Sequence, residues 1–439
     1  MGRFAWLGTL ILLPAAGAPL LLRATFRRFT LPARVVLSAG VGAALVSFAL
    51  TLFSLAGVAW RVAPAFVAAA LLAACLSPLA AGRADPPAPE RLGPPGSFAA
   101  LLSALCVFAA LAATLGATAT SIDLFFFWGP KAQQFAIARG VDTAFLADPS
   151  QQYLHAYYPP LVTGLDALAS MAGGRFSWTS AVLTFPLLLA ALAVALPGVL
   201  RGVAPRTAAA AVSALTVATA AVIGIRAEIA GNGDMPLFFY ETLAMGLLLR
   251  RDAGDAAVQL LAGLLLAGAA AAKVEGLAFA LAASALLLAL RGGTAAGAAR
   301  SAARLLLPAA AALGGWFLFG ALRHVFTAYS EYGPLFSLHP EHGTSIAREI
   351  PLVLYATARG LPYAVPLLCL LAAGRVDRRA LLPLGTAAAI LGFVVFTYLH
   401  LAADPSQWIG WSAARILAPL PLLFCLAAAC ASRPSPEGA

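Results

Sequence analysis

Residues 121–161 read SIDLFFFWGPKAQQFAIARGVDTAFLADPSQQYLHAYYPPL. They interrupt a nearly continuous series of apolar segments and form the long polar loop of the first half of the chain. Asp123 stands at the start of the loop, directly after the apolar run 98–120, where a membrane span would emerge into water. A carboxylate at that level is costly unless something uses it.

The segments on either side of this loop decide the class. Of 439 residues, 62% are hydrophobic and 10% charged, and the mean hydropathy is +0.89, far more apolar than a soluble chain of this length. The sequence therefore predicts an integral membrane protein. A span needs about 20 mainly apolar residues to cross roughly 30 Å of hydrocarbon. The segments are long enough for helices and lack the alternation of a membrane barrel, so the expected fold is all-α. The net charge of +10 does not point to a nucleic-acid partner, because the arginines fall in short loops between spans, as positive-inside bias requires. Cys75, Cys106, Cys369, Cys425 and Cys430 all lie in apolar segments without a C-x-x-C spacing and read as small core residues.

Spans are expected near 4–22, 35–58, 62–81, 98–118, 177–200, 207–224, 236–249, 256–272, 276–290, 305–322, 351–373, 381–398 and 411–431, about thirteen in all. The first is kept as a span and not as a signal peptide, because Arg23, Arg27 and Arg28 flank it like a stop-transfer signal. Residues 161–172 are apolar but, at about a dozen residues, too short to cross. If they stay on one side as a half-embedded helix, the arginines of 23–34, 83–91, 201–206, 250–251, 291–304, 375–379 and 433 share one face, the cytoplasmic one. The polar clusters at 123–158, 226–234, 273–275, 323–349 and 404–415 then share the outer face. Residues 1–97 read as a three-span N-terminal unit whose Pro-rich stretch 86–95 links it to a core at 98–432, followed by a short tail at 433–439.

Several motifs on the outer face occur in an informative order. An acid ends the first core span, and an aromatic W-x-P-K-A helix follows with Trp128, Pro130, Lys131 and Ala132. Then come Tyr-Pro-Pro-Leu at 158–161, Gly-Asp-Met-Pro-Leu at 233–237, Lys-x-Glu-Gly at 273–276, and Arg415 ahead of a Pro-rich last span. In these features the chain resembles the polytopic membrane glycosyltransferases of the GT-C superfamily, such as protein O-mannosyltransferases and aminoarabinose transferases. The resemblance covers roughly residues 98–430. It implies hexosyl or pentosyl transfer, inverting at the anomeric carbon, from a polyprenyl-phosphate-linked sugar to a hydroxyl of an acceptor lipid, glycan or protein. The expected setting is the extracytoplasmic face of a bacterial plasma (inner) membrane, with membrane lipids as further partners.

The residue types suit that chemistry. An inverting transfer needs a carboxylate to take the acceptor proton, and Asp123 is the candidate; its other reading is a cap for the helix beginning near Phe125. The departing phosphate needs cations, and Lys273 and Arg415 are the candidates. Lys273 beside Glu275 also reads as a snorkelling pair. Arg415, about one turn inside the last span, would be costly unpaired. Asp234 and Glu228 are candidates for a second acid or for acceptor binding, and Asp234 equally suits a helix start. Trp128, Lys131, His155, Tyr158 and Glu275 are candidate loop contacts. A divalent metal ion is a candidate cofactor, with no ligand set defined, since no H-x-x-x-H spacing occurs. Glu241, inside a span two turns below Asp234, is expected to pair with another helix or face a hydrated cavity. His339, Glu341 and His342 read as part of a loop that covers the site or selects the acceptor, in preference to a metal site. Two departures from the superfamily stand out: Asp123 is followed by Leu124 and three phenylalanines where several members have a second acid, and no large soluble C-terminal domain follows the last span. The rival reading is a transporter or flippase of lipid-linked sugars, which usually carries internal repeats and midplane charges.

Overall fold

The computed structural model describes residues 5–80, 97–148, 150, 154–325, 337–372 and 377–431. Among them the chain forms helices and no β-sheet; the one β-bridge, Thr120 with Ala230, is isolated. In order the helices are α1 (Ala5–Leu21), α2 (Leu31–Leu55), α3 (Val62–Leu76), α4 (Ser97–Leu115), α5 (Gly129–Ala138), α6 (Thr143–Ala147), α7 (Leu161–Gly173), α8 (Trp178–Leu200) and α9 (Arg206–Arg226). They continue with α10 (Asp234–Leu248), α11 (Ala256–Ala272), α12 (Glu275–Arg291), α13 (Ala295–Arg323), α14 (His342–Ala356), α15 (Leu361–Ala372), α16 (Leu381–Leu399), α17 (Ser406–Ile416) and α18 (Pro419–Ala431). Local sequence sets many of the starts. Thr30, Ser177, Asp255 and Thr294 each accept a hydrogen bond from a first-turn backbone N–H of α2, α8, α11 and α13, satisfying a donor that a helix start otherwise leaves open.

All thirteen expected apolar segments are helical, but they are not equal in length. Among the described residues eight helical stretches are long and apolar enough to cross a membrane: Leu31–Leu55, Val62–Ala80, Phe98–Leu115, Trp178–Leu200, Arg206–Arg226, Ala295–Arg323, Arg378–Leu399 and Ser406–Cys430. The protein is thus a multi-pass helical membrane protein. Helices α1, α11 and α12 have 17 residues each and α10 has 15. At 1.5 Å per residue α10 is about 22 Å long, short of the roughly 30 Å of hydrocarbon. The reason is its place at the centre of the bundle: every residue of Asp234–Leu248 is buried. A helix enclosed by α8, α11 and α18 meets protein on all sides and is not held to the bilayer thickness.

The expected single span at 351–373 is corrected. It is two helices, α14 and α15, bent by 87°. Ala358, Arg359 and Gly360 take φ of 50°, 55° and 73°, a left-handed run that cannot extend a right-handed helix, and Pro362 follows. The final expected span at 411–431 likewise contains a break, with α17 ending at Ile416 and α18 starting at Pro419. The short apolar segment at 161–172 forms α7, of 13 residues, packed on α1, α2 and α5.

Helix α2 lies against α8, α11 and α13, and Tyr240 of α10 donates to the Gly40 carbonyl at 2.8 Å, so the first three helices share one core with the rest. Gly17 and Gly42 let α1 and α2 touch backbone to backbone: a Cβ on either would stand about 2 Å from a carbonyl oxygen of the other helix. The proposed linker at 86–95 lies outside the described residues. One end of the bundle collects the basic turns. Arg28 pairs with Asp252 at 2.7 Å and Asp255 at 2.8 Å, Arg250 donates to the Val199 carbonyl at 2.9 Å, and Arg291 to the Ala253 carbonyl at 2.8 Å. The opposite end holds the acids and cations described next.

Candidate functional site

The site is assembled where the short central helices stop. Asp234 opens α10, Lys273 caps the end of α11, and Glu275 opens α12. The end of α4 is clamped to this level by two backbone hydrogen bonds, Ser121 N–H to the Ala230 carbonyl at 2.9 Å and Ala230 N–H to the Ala119 carbonyl at 2.8 Å. Ser121 Oγ then accepts from the Asp123 amide at 3.2 Å and from Asn232 Nδ2 at 3.3 Å.

Asp123 does not cap the helix that follows it. Its carboxylate accepts instead from the Arg415 guanidinium, 292 positions away in sequence and in the last turn of α17. The same Arg415 nitrogen lies 3.6 Å from Asp234. Asp234 accepts from Lys273 at 2.8 Å and from Asn232 at 2.7 Å, and its own amide donates to Asn232 Oδ1 at 2.9 Å. Lys273 does not snorkel to the surface. It is buried between Asp234 and Glu275, the latter at 3.3 Å, and Tyr158 donates to Glu275 at 3.3 Å. Arg415 thus bridges two acids and Lys273 two, so the four charges of Asp123, Asp234, Lys273 and Arg415 are each partnered, as a low-dielectric site demands. The side chain of Asp234 is 2% exposed and that of Asp123 24%. Asp123 and Glu275, the latter 20% exposed, are therefore the acids that an incoming group can reach, and Asp234 is the buried one that holds the cations.

The aromatic loop forms one wall. Residues Leu124–Trp128 make a π turn, and Trp128 is buried and stacked on Tyr158 at 5.6 Å. Gly233 is required beneath it, since a Cβ there would come within 2.9 Å of both Trp128 and the Lys273 side chain. His155 packs edge-on against Phe127 at 5.0 Å, and its Nδ1 lies 3.1 Å from the Tyr157 hydroxyl. Burial, with Lys131 and Lys273 nearby, pushes His155 down to about 4, so at neutral pH it is an uncharged part of the wall and not a cation for phosphate. Lys131 makes no ion pair with the acids among the described residues. It is buried and donates to the carbonyls of Leu154 and His155 at 2.9 and 3.1 Å, which makes it the post on which the 154–158 segment hangs.

Burial pushes Lys131 down to about 7 from its ordinary 10.5. The unfolded chain then holds more protons than the folded one between those values. Stability from this group is full at high pH and falls as pH drops through that window. The thermal unfolding midpoint in detergent is expected to rise between pH 7 and about 10.5, and Lys131→Met to remove part of the rise. Identical pH profiles for the two proteins would show that Lys131 does not contribute.

Glu228, grouped with Asp234 in the sequence, does not join the site. It is exposed, with φ of 51°, and makes no hydrogen bond or ion pair among the described residues. The turn after α9 directs it outward. Sequence reasoning gave no role of their own to Ser121, which has no signal beyond its position before Asp123, or to Asn232, whose Asn-x-Asp spacing marks it as a partner of Asp234. Glu241 lies beneath the cluster and lines, with Asp234, Lys273 and Glu275, a cavity of about 10 Å³, room for about one water. One carboxylate oxygen each of Glu241 and Glu275 is buried there without a hydrogen-bond partner among the described residues. Asp123, Asp234 and Glu275 are engaged by side-chain cations, whereas among the described residues the ligand-type side chains grouped closely enough for a metal are His339, Glu341 and His342.

The arrangement offers two partly exposed carboxylates, Asp123 held by Arg415 and Glu275 held by Lys273 and Tyr158, and two cations within a recess at the end of an apolar bundle. Compared with known proteins, the chain matches no family model, no curated protein and no solved structure.

Proposed function

We propose that the protein is a membrane glycosyltransferase of the GT-C type that moves a sugar from a polyprenyl-phosphate carrier to an acceptor hydroxyl. In this reading the apolar bundle lies in a bacterial inner membrane, with the basic end in the cytoplasm and the cluster on the extracytoplasmic side. The observation that carries it is the meeting of Asp123, Lys273 and Arg415, drawn from three distant parts of the chain, around the buried Asp234. An apolar cavity of about 230 Å³ between α1, α2, α7, α8 and α10 extends to Pro236, two residues from Asp234, and suits the first part of a lipid chain.

The acceptor oxygen attacks the anomeric carbon as the bond from that carbon to the phosphate oxygen breaks. The acceptor proton passes to Asp123, and the polyprenyl phosphate leaves with the bonding electrons, its charge met by Arg415 and Lys273. In the structure Arg415 is held on Asp123. A donor phosphate competes for that guanidinium and, by drawing it away, frees the carboxylate to act as base, so donor binding precedes activation of the acceptor.

This competition is tested by binding of polyprenyl phosphate in detergent. Arg415→Ala is expected to weaken it roughly 10- to 150-fold, the loss of one charge-assisted contact, and Asp123→Asn to strengthen it by releasing Arg415. Wild-type affinity in Arg415→Ala would remove the phosphate role.

A further inference from the structure

A second group of chemistry-bearing residues stands apart from the acid and cation cluster, at the start of α14. His339, Glu341 and His342 each offer one ligand atom, and these atoms lie within 4.8 Å of one another. His339 Nδ1 is 3.0 Å from Glu341 Oε1, and the two imidazole rings stack at 5.1 Å. Ligands at about 2.0–2.1 Å around a tetrahedral ion are separated by about 3.3 Å, so the three atoms need only small rotamer adjustments to close on one.

Two features of the backbone hold the group in place. The His339 amide donates to the Leu399 carbonyl at 2.8 Å, which fixes the segment to the end of α16. The buried His342 has Nδ1 3.3 Å from the Tyr398 carbonyl. A carbonyl can only accept, so that nitrogen carries the proton and Nε2 keeps its lone pair. This is the outer contact that metal-ligating histidines characteristically make.

We infer that His339, Glu341 and His342 form a divalent transition-metal site that takes zinc-like ions. Two imidazoles and one carboxylate match the borderline ligand preference of Zn²⁺, and three protein ligands leave one coordination position open. The site is coupled to the rest of the fold through Tyr398, whose hydroxyl lies 2.8 Å from Ser412 Oγ, one turn before Arg415 on α17. A bound ion thereby joins the segment leading into α14 to the helix that presents Arg415. The inference does not depend on the sugar-transfer reading.

The test is Zn²⁺ binding to the purified full-length protein in detergent, tag removed and metal stripped, by isothermal titration, with Co²⁺ absorption as a probe of ligand type. One equivalent per chain is expected, with a visible Co²⁺ band and a rise in unfolding temperature on adding Zn²⁺. His342→Gln and His339→Gln are each expected to weaken binding more than tenfold and to abolish that rise. His342 is buried, so if its variant fails to fold, His339→Gln, with a side chain 30% exposed, carries the test. No stoichiometric Zn²⁺ in the wild type, or unchanged affinity in His339→Gln, overturns the inference.

Discussion

Asp234→Ala is expected to lower the unfolding free energy by about 3–5 kcal/mol, the usual loss when one member of a buried ion pair is removed. Asp234 is almost fully enclosed and is the shared partner of Lys273 at 2.8 Å and Arg415 at 3.6 Å. Its removal leaves Lys273, itself buried, with Glu275 at 3.3 Å as its one acid, and takes from Asn232 the shorter of its two side-chain acceptors, leaving Ser121 Oγ at 3.3 Å. Asp234→Asn preserves the shape and part of the hydrogen bonding and is expected to cost less. The double variant Asp234→Ala with Lys273→Met removes both charges together and is expected to be more stable than the sum of the single losses, because the two residues are directly coupled. Thermal unfolding in detergent compares the wild type with Asp234→Ala, Asp234→Asn, Lys273→Met and the double variant. Strict additivity would mean that the pair seen in the structure does not matter to stability.

Asp123→Asn is expected to lower sugar transfer by about 10²- to 10⁴-fold, the range that a positioned general base supplies, with little change in folding. The asparagine keeps nearly the same shape, and Ser121 still accepts from the backbone amide of residue 123, so the local backbone geometry survives while the proton acceptor is gone. Asp123→Glu retains a carboxylate but moves it by a methylene and is expected to keep a fraction of the rate. The turnover number at saturating donor and acceptor separates this from a binding effect, because loss of a base lowers the rate of the chemical step. Full turnover in a folded Asp123→Asn protein would exclude Asp123 as the base.

The membrane class and the approximate place of every apolar helix were legible because about 20 consecutive apolar residues leave few alternatives. Asp123, Asp234, Lys273 and Arg415 were legible for a related reason: each is a charge at the edge of an apolar run, where an unpaired ion is costly. What the sequence could not supply was their pairing, since Asp123 and Arg415 are 292 positions apart. Nor does local sequence separate Glu228 from Asp234, which share one loop; only the backbone course after α9 turns one out and the other in. The bend within 351–373 was hidden because the residues on both sides of it are apolar, and the break is a property of φ at Ala358 to Gly360. The shortness of α10 follows from its enclosure by other helices, a tertiary fact that hydropathy does not encode. Likewise, His339, Glu341 and His342 look like ordinary loop residues until the Tyr398 carbonyl is brought against His342.

The most direct test of the account is transfer of radiolabelled sugar by the purified protein reconstituted in liposomes, offered a panel of polyprenyl-phosphate sugars and, in parallel, nucleotide sugars, with Asp123→Asn as the blank. The account predicts transfer from at least one lipid-linked donor, none from nucleotide sugars, and none above background in the variant. Absence of transfer from every lipid-linked donor by a folded wild-type protein, or equal transfer by Asp123→Asn, would contradict it.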